Sequence, residues 1–289
     1  VGACYLRNKR VKAKEADSND GPGSKQVPLV FGVSGHRDLL AADVPRLRKQ
    51  LSEIFARFRA AYLDTPFRLL TPLAEGADRL AAEVALASEV DLVVPLPMKR
   101  QEYERDFTTA KSLAEFRALL ALAKSHWEIP LVTRTAVERR TQQYAAVGDF
   151  IARNSHVLIL LWDGRDNKKI GGTAWVRKRR EYWANDASHP FHGIVALAYG
   201  PTIHVVTPRA SGRLSRPRPA TIGELPPSAK EFAASLSEPP SRKRDGNSKI
   251  RPPLYQFVFW VLDRFNARVA RPAPASNRRQ RQSAIRSRL

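Results

Sequence analysis

Short apolar runs alternate with helical periodicities along the first two hundred residues. Val27-Pro-Leu-Val-Phe-Gly-Val-Ser34 is too short for a helix and rich in β-formers, which predicts a first buried strand. It gives way to Gly35-His36-Arg37-Asp38, and a helical pattern starts near Asp43-Val-Pro45, with Asp43 as N-cap and Pro45 in the first turn. Leu47, Leu51, Ile54, Phe55 and Phe58 then recur at helical spacing, a stripe that packs on a sheet. Residues 67–73 predict a second strand, and Ala74-Glu75-Gly76-Ala77-Asp78 leads into an Ala-rich helix over 80–86. Residues 91–96 predict a third strand, followed by a polar connection from 97 to 100.

Residues 101–107 precede an amphipathic stretch with Phe116, Leu119, Leu120 and Ala123 on one stripe, and residues 129–133 read as a further short strand. A helix is expected over 141–154 with Tyr144, Val147, Phe150 and Ile151 facing inward. A strand over 156–162 that is apolar from Val157 on, a helix over 173–183 and a last strand over 203–207 complete the pattern. This alternation predicts βαβ units with right-handed crossovers: an α/β fold, Rossmann-like, with a doubly wound, mostly parallel sheet and helices on both faces.

Composition divides the chain further. Residues 1–26 are polar without periodicity and read as a disordered leader; 27–208 form the Rossmann-like domain. Residues 209–253 have the Pro/Arg-rich composition of a linker, 254–270 an amphipathic aromatic helix, and 271–289 a basic disordered tail. The aromatic helix is expected to dock on the main domain, on a partner or on a downstream element. No apolar run approaches the roughly 18 residues that span a bilayer. The single cysteine, Cys4, excludes an intrachain disulfide and a cysteine-cluster metal site, and with no apolar signal segment it fits a cytoplasmic location.

The net charge of +21 suggests a nucleic-acid binder until it is divided along the chain. Residues 27–208 hold 25 Lys and Arg against 20 Asp and Glu, whereas 241–289 hold 13 against 2. Half of the excess therefore sits in the tail, which can bind nucleic acid or an anionic membrane with little discrimination, or simply be solvated.

In an open parallel sheet ligands bind at the carboxyl ends of the strands, and the unusual loop residues gather there. After the first strand come Gly32, Ser34, Gly35, His36 and Arg37: glycines for close backbone approach, a hydroxyl, and a guanidinium that can hold an anion bidentately. After the second, Glu75 can accept from sugar hydroxyls, Gly76 starts a helix, and Asp78 either joins Glu75 or compensates the helix dipole. After the third, Pro97 leads to Glu102 and Asp106, one helical turn apart; such a pair binds a sugar, serves acid–base chemistry, or pairs with Arg105 or Lys99, the reading that solvated helical ion pairs favour. After the apolar strand, Trp162, Asp163 and Gly164 are followed by Gly171-Gly172-Thr173 at a helix start, a phosphate cradle or an ordinary strand–turn–helix connection. The cradle lacks the Lys of a Walker loop, Ser34 lacks a Gly-x-Ser-x-Gly elbow, and the six histidines form no metal-ligand spacing.

Together these stretches resemble the SLOG superfamily, which groups the Lonely Guy phosphoribohydrolases, the DNA-processing Smf/DprA proteins and many Rossmann-like nucleotide-sensor domains. The resemblance rests on Gly32-Val-Ser-Gly-His-Arg-Asp38, Leu73-Ala-Glu-Gly-Ala-Asp-Arg-Leu80, Val94-Pro-Leu-Pro97 with Glu102-Tyr-Glu-Arg-Asp-Phe107, Asn154-Ser-His-Val-Leu-Ile-Leu-Leu-Trp-Asp-Gly164 and Gly171-Gly-Thr-Ala174. It implies a nucleotide or nucleotide-derived ligand of unknown identity, no required cofactor, and backbone contacts at residues 35–37 and 171–173. Val176 stands where the phosphoribohydrolase Glu is expected, and Ile170 replaces the Pro before the glycine pair, which points to the sensor branch rather than to catalysis. Such sensor domains are often fused to effector or membrane modules in prokaryotic defence systems, and a homo-oligomer is open. The alternatives are cleavage of a nucleotide N-glycosidic bond, with Glu75, Glu102 or Asp106 supplying the carboxylate, and single-strand DNA binding of the DprA type.

Overall fold

The computed structural model describes residues 26–131, 136–166, 168–185, 200–211 and 254–270. Six strands form one all-parallel sheet in the order β4-β3-β2-β1-β5-β6: β1 Leu29–Gly35, β2 Phe67–Leu70, β3 Asp91–Leu96, β4 Ser125–Glu128, β5 Val157–Trp162 and β6 Thr202–Val206. The helices are α1 Val44–Ala61, α2 Ala77–Ala87, α3 Arg100–Tyr103, α4 Ala110–Ala121, α5 Ala136–Asn154, α6 Thr173–Asn185 and α7 Leu254–Val269. This is the expected α/β Rossmann-like fold.

Strand alternation sorts the core into two layers. Phe31, Val33, Val157, Ile159 and Leu161 point to a large cluster with Leu51, Phe55 and Phe58 of α1, the stripe read from periodicity. Phe31 meets Phe55 and Phe58 edge-on at centroid distances of 5.3 and 5.0 Å. Leu158 and Leu160 point the other way, to Val147, Ile151 and Ala152 of α5 and Val176 of α6. Gly32 packs on that second face, where a Cβ would come within 2.8 Å of Ile151 Cγ2 and Ser155 Cβ, so β1 and α5 approach more closely than any side chain permits.

Three elements differ from expectation. The strand expected over 129–133 lies at Ser125–Glu128, whose side chains are all exposed; at an edge, backbone pairing with β3 suffices and no apolar run marks it. Residues 132 and 133 lie outside the described residues. β2 stops at Leu70, because Pro72 has no N–H and Leu73 turns with a φ of 59°. Residues 209–211, read as the start of a linker, fold back on the domain: Arg209 bridges Leu39, and Ala210 N–H donates to Asp38 O at 2.9 Å. The predicted leader up to 25, the tail 271–289 and most of the linker (212–253) lie outside the described residues.

Of the three destinations open to the aromatic helix, α7 takes the main domain, at the amino ends of the strands. Phe259 is buried against Tyr62 (5.7 Å) and His156 (6.0 Å). Asn266 is fully buried, accepting from Val27 N–H at 2.8 Å and donating to Val27 O at 2.8 Å and to Thr65 Oγ1 at 3.2 Å. Asp263 accepts from Asp64 N–H and the Thr65 hydroxyl. Among the described residues, no helix is long and apolar enough to cross a membrane.

Candidate functional site

The chain leaves β1 toward β2 on one side and returns to β5 on the other, so a crevice opens between the carboxyl ends of β1 and β5. A cavity of about 370 Å³ lies there. β1 and its loop (residues 33–38) form one wall. Tyr144, Val147, Gly148 and Ile151 of α5 form another. The loop from Lys169 to Thr173, with Ala174 and Val176 of α6, closes a third side, while Pro72, Ala74, Asp78 and Tyr103 come from the β2 and β3 connections.

Local backbone geometry shapes this edge. A Cβ on Gly35 would collide with the Ala77 side chain and come 2.7 Å from Leu161 O, so only glycine lets the end of β1 sit between α2 and β5. Gly171 has a φ of +76° and lies against the backbone of Tyr144 and Ala145. The first intrahelical bond of α6 is Val176 N–H to Gly172 O at 3.0 Å. The N–H groups of Thr173, Ala174 and Trp175 precede it and form the donor end of the helix, where the dipole favours an anion. Ser34 and Thr173 place their hydroxyls 3.5 Å apart across the β1–α6 gap. Two of the amides expected to contact a ligand are engaged elsewhere: His36 N–H donates to Leu161 O at 3.0 Å and Gly172 N–H to Lys169 O at 3.1 Å. The free amide donors at this edge therefore belong to the start of α6 rather than to the glycine pair itself.

Four cationic side chains line the cavity: Arg37, Arg140, Lys169 and Arg209. Arg140 is held by Asp106 and, at 3.7 Å, by Glu102. Arg209 is held by Asp38 at 3.2 Å and Asp163 at 3.7 Å. Arg37 makes no ion pair among the described residues; its guanidinium lies over the Tyr144 ring, 5.0 Å from the centroid.

Among the described residues, Asp38 and Asp78 are the carboxylates of the lining. Asp78 is buried, accepts from Ala74 N–H at 3.3 Å, and has its pKa raised to about 7 by burial, against the opposing pull of Arg37. His36 is also buried. Its Nε2 accepts from Asp163 N–H at 3.0 Å, so that nitrogen carries no proton, and burial together with Arg209 lowers its pKa despite Asp163.

The structure thus brings Ser34, Gly35, His36, Arg37, Asp78, Trp162, Gly171, Gly172 and Thr173 together around one cavity. The other candidates stand outside its lining. Gly32 packs on α5, and Glu75 accepts a hydrogen bond from the Ser112 hydroxyl. Gly76 caps α2 with a φ of +77° directly against the Arg37 carbonyl. Pro97 O accepts from Gln143 Nε2 at 2.6 Å, which ties α5 to β3. Glu102 and Asp106 serve Arg140, not the neighbouring Arg105 or Lys99. Asp163 steadies His36 through its backbone N–H and Arg209 through its carboxylate, and Gly164 makes the turn behind it with a φ of +83°.

No family model matches the chain, and no curated protein matches it significantly.

The sequence pattern did not single out several lining residues as site candidates, among them Tyr103, Tyr144, Arg140 and Arg209. Tyr103 and Tyr144 carry hydroxyls that are buried with no hydrogen-bond partner among the described residues. Arg140 and Arg209 lie far along the chain from the acids they pair with. Among the described residues, no group of three or more His, Cys, Asp or Glu is placed to hold a metal ion. A second hollow of about 360 Å³, near β3 and β4, is lined by Arg100, Glu104 and Arg117; Glu104 is paired with both arginines.

Proposed function

We propose that the domain binds a nucleotide or nucleotide-derived signal in the cavity at the β1–β5 crevice. One observation carries the reading: the donor end of α6, the Ser34 and Thr173 hydroxyls and the guanidinium of Arg37, which has no ion pair among the described residues, all border one cavity at the topological switch point. A phosphate there would accept from the α6 amides and both hydroxyls, with Arg37 supplying the counter-charge. The apolar wall of Val147, Ile151 and Val176 suits a flat, less polar portion of the same ligand. The resemblance to the SLOG superfamily supports the same reading, and its sensor branch fits better than its phosphoribohydrolase branch. Val176 is an apolar residue packed against α5, while Glu75, Glu102 and Asp106 are engaged by Ser112 and Arg140.

A sensor needs a route out, and the cavity wall supplies one. Arg209 lines the cavity, and residues 209–211, just ahead of the Pro/Arg-rich segment in sequence, are pinned to Asp38. An effector or membrane module beyond this chain, and tail binding to nucleic acid, belong to the same proposal as partners. Isothermal titration with linear and cyclic nucleotides, ADP-ribose and inorganic phosphate tests the reading. At least one nucleotide-class compound is expected to bind one to one, with Arg37→Gln weakening it about tenfold or more. Absence of binding by the folded protein to every member would overturn the proposal.

A further inference from the structure

We propose that the β2–β3 side of the cavity is a nucleobase-reading pocket in which Asp78, Tyr103 and Tyr144 hydrogen-bond the edge of a heterocyclic base. This inference rests on the nucleotide reading above and assigns the half of the ligand that the α6 cradle leaves unexplained.

Tyr103 is completely buried, lines the cavity, and has a hydroxyl with no partner among the described residues. The hydroxyl of Tyr144, also on the lining, is buried and unpartnered in the same sense. Native proteins leave few buried polar atoms unsatisfied, so two on one cavity wall point to a ligand. Their rings are well fixed: Tyr103 meets Phe107 at 5.1 Å, Phe116 at 5.5 Å and Tyr144 at 6.3 Å. Asp78 projects from the first turn of α2, buried, with Ala74 N–H and the Thr71 hydroxyl bonded to it. Burial and the neighbouring Asp78 and Glu75 raise the Tyr103 phenol's pKa against the pull of Arg37 and Arg79, which places these groups close together.

Topology separates Asp78 and Tyr103 from the phosphate cradle, while Tyr144 of α5, against Gly171, stands between the two ends. Asp78 follows β2 and Tyr103 follows β3, whereas Thr173 follows β5. With strands about 4.8 Å apart, β2 and β5 are separated by about 10 Å, a span that a nucleoside phosphate bridges with its phosphate at one end and its base at the other. A vicinal diol would call for an ionised carboxylate. Here burial favours the protonated carboxyl, and a protonated carboxyl and two phenols each donate and accept. That mixed set matches the alternating donors and acceptors along a base edge, and Val147 and Ile151 offer the apolar contact a flat ring needs.

The test is isothermal titration of the full chain with the four nucleoside 5′-monophosphates, ribose 5-phosphate and the free nucleosides, on wild type and on Tyr103→Phe/Tyr144→Phe. Phenylalanine keeps the ring packing and deletes only the unpartnered hydroxyls, so thermal stability without ligand is expected to stay the same or rise. In wild type at least one nucleotide should bind about tenfold or more tighter than ribose 5-phosphate. The double variant should shrink that gap to about threefold while leaving ribose 5-phosphate affinity unchanged. Ribose 5-phosphate binding as tightly as the nucleotides, or a base preference untouched in the variant, would overturn the pocket alone. So would a variant that loses ribose 5-phosphate and nucleotide equally. Binding of a nucleoside with no gain from its phosphate would overturn the cradle and uphold the pocket. No binding of any probe would overturn both.

Discussion

Replacing Asp78 with Asn tests the electrostatics of the cavity without any knowledge of its ligand. The carboxyl of Asp78 is raised from 3.8 to about 7 by burial, with Arg37 and the Ala74 N–H pulling the other way. The folded protein therefore holds a proton that the unfolded chain releases near pH 4. Stability from this group is fully present below about pH 3.8 and is lost as pH rises toward 7. At 1.36 kcal/mol per pH unit the full loss is about 4 kcal/mol, of which about 3 falls between pH 5 and pH 8. Wild-type stability alone conceals this, because His156 acts in the opposite sense. Burial and Arg180 lower its pKa from 6.5 to about 4, so the fold loses stability as pH falls through that window. Comparing Asp78→Asn with wild type at each pH cancels His156 and every other group. Urea unfolding at pH 5 and pH 8 should show the variant gaining about 3 kcal/mol relative to wild type at the higher pH, a relative midpoint shift of about 1 M or more. A difference between the two proteins that does not change with pH would refute the account of Asp78.

Three further perturbations probe the frame around the cavity. Arg180 is buried and donates to the carbonyls of Ala152 (3.0 Å), Ser155 (2.5 Å), His156 (2.7 Å) and Gly200 (3.3 Å), so Arg180→Met strands several acceptors. It should cost about 3–5 kcal/mol in denaturant unfolding, and a cost under about 1 would show the clamp to be idle. Gly76→Ala forces a Cβ into the Arg37 carbonyl at a φ of +77°; a loss of about 2 kcal/mol or more is expected, and a neutral result would contradict the geometry of the β2–α2 loop. Asn266→Ala removes the three bonds that pin α7 to Val27 and Thr65, with an expected cost of about 2–3 kcal/mol and faster amide exchange in α7. Unchanged exchange in α7 would mean that Asn266 does not anchor it.

Periodicity revealed what is buried on a face. The strands around residues 29–35 and 157–162 and the stripe of Leu47, Leu51, Ile54, Phe55 and Phe58 were legible because each must place apolar atoms on the sheet. β4 was not, since the four side chains of Ser125-His-Trp-Glu128 are all exposed and no apolar run marks a strand that its ladder with β3 holds in place. The loop glycines and hydroxyls stood out by type, but the partners that remove a residue from a site lie far away in sequence. By spacing alone Glu102 and Asp106 favour an ion pair with Arg105 or Lys99, but the arginine that takes them is Arg140, 34 residues on from Asp106 in α5. Tyr103 and Tyr144 had the opposite problem. Tyr144 reads as an inward-facing core position and Tyr103 as part of a polar stretch, and only three-dimensional packing shows that both residues line one cavity with buried hydroxyls that have no partner among the described residues.

The central claim is that an anion-bearing ligand sits at the start of α6, and amide chemical shifts report on that directly. Titrating a nucleoside 5′-monophosphate should move the Thr173, Ala174 and Trp175 amides together with those of Ser34 and Arg37, saturably. In the Arg37→Gln variant the same amides should need about tenfold or more ligand to reach the same shift. Shifts confined to residues 241–289, with Thr173 to Trp175 unmoved, would contradict it and reassign the binding to the charge of the tail.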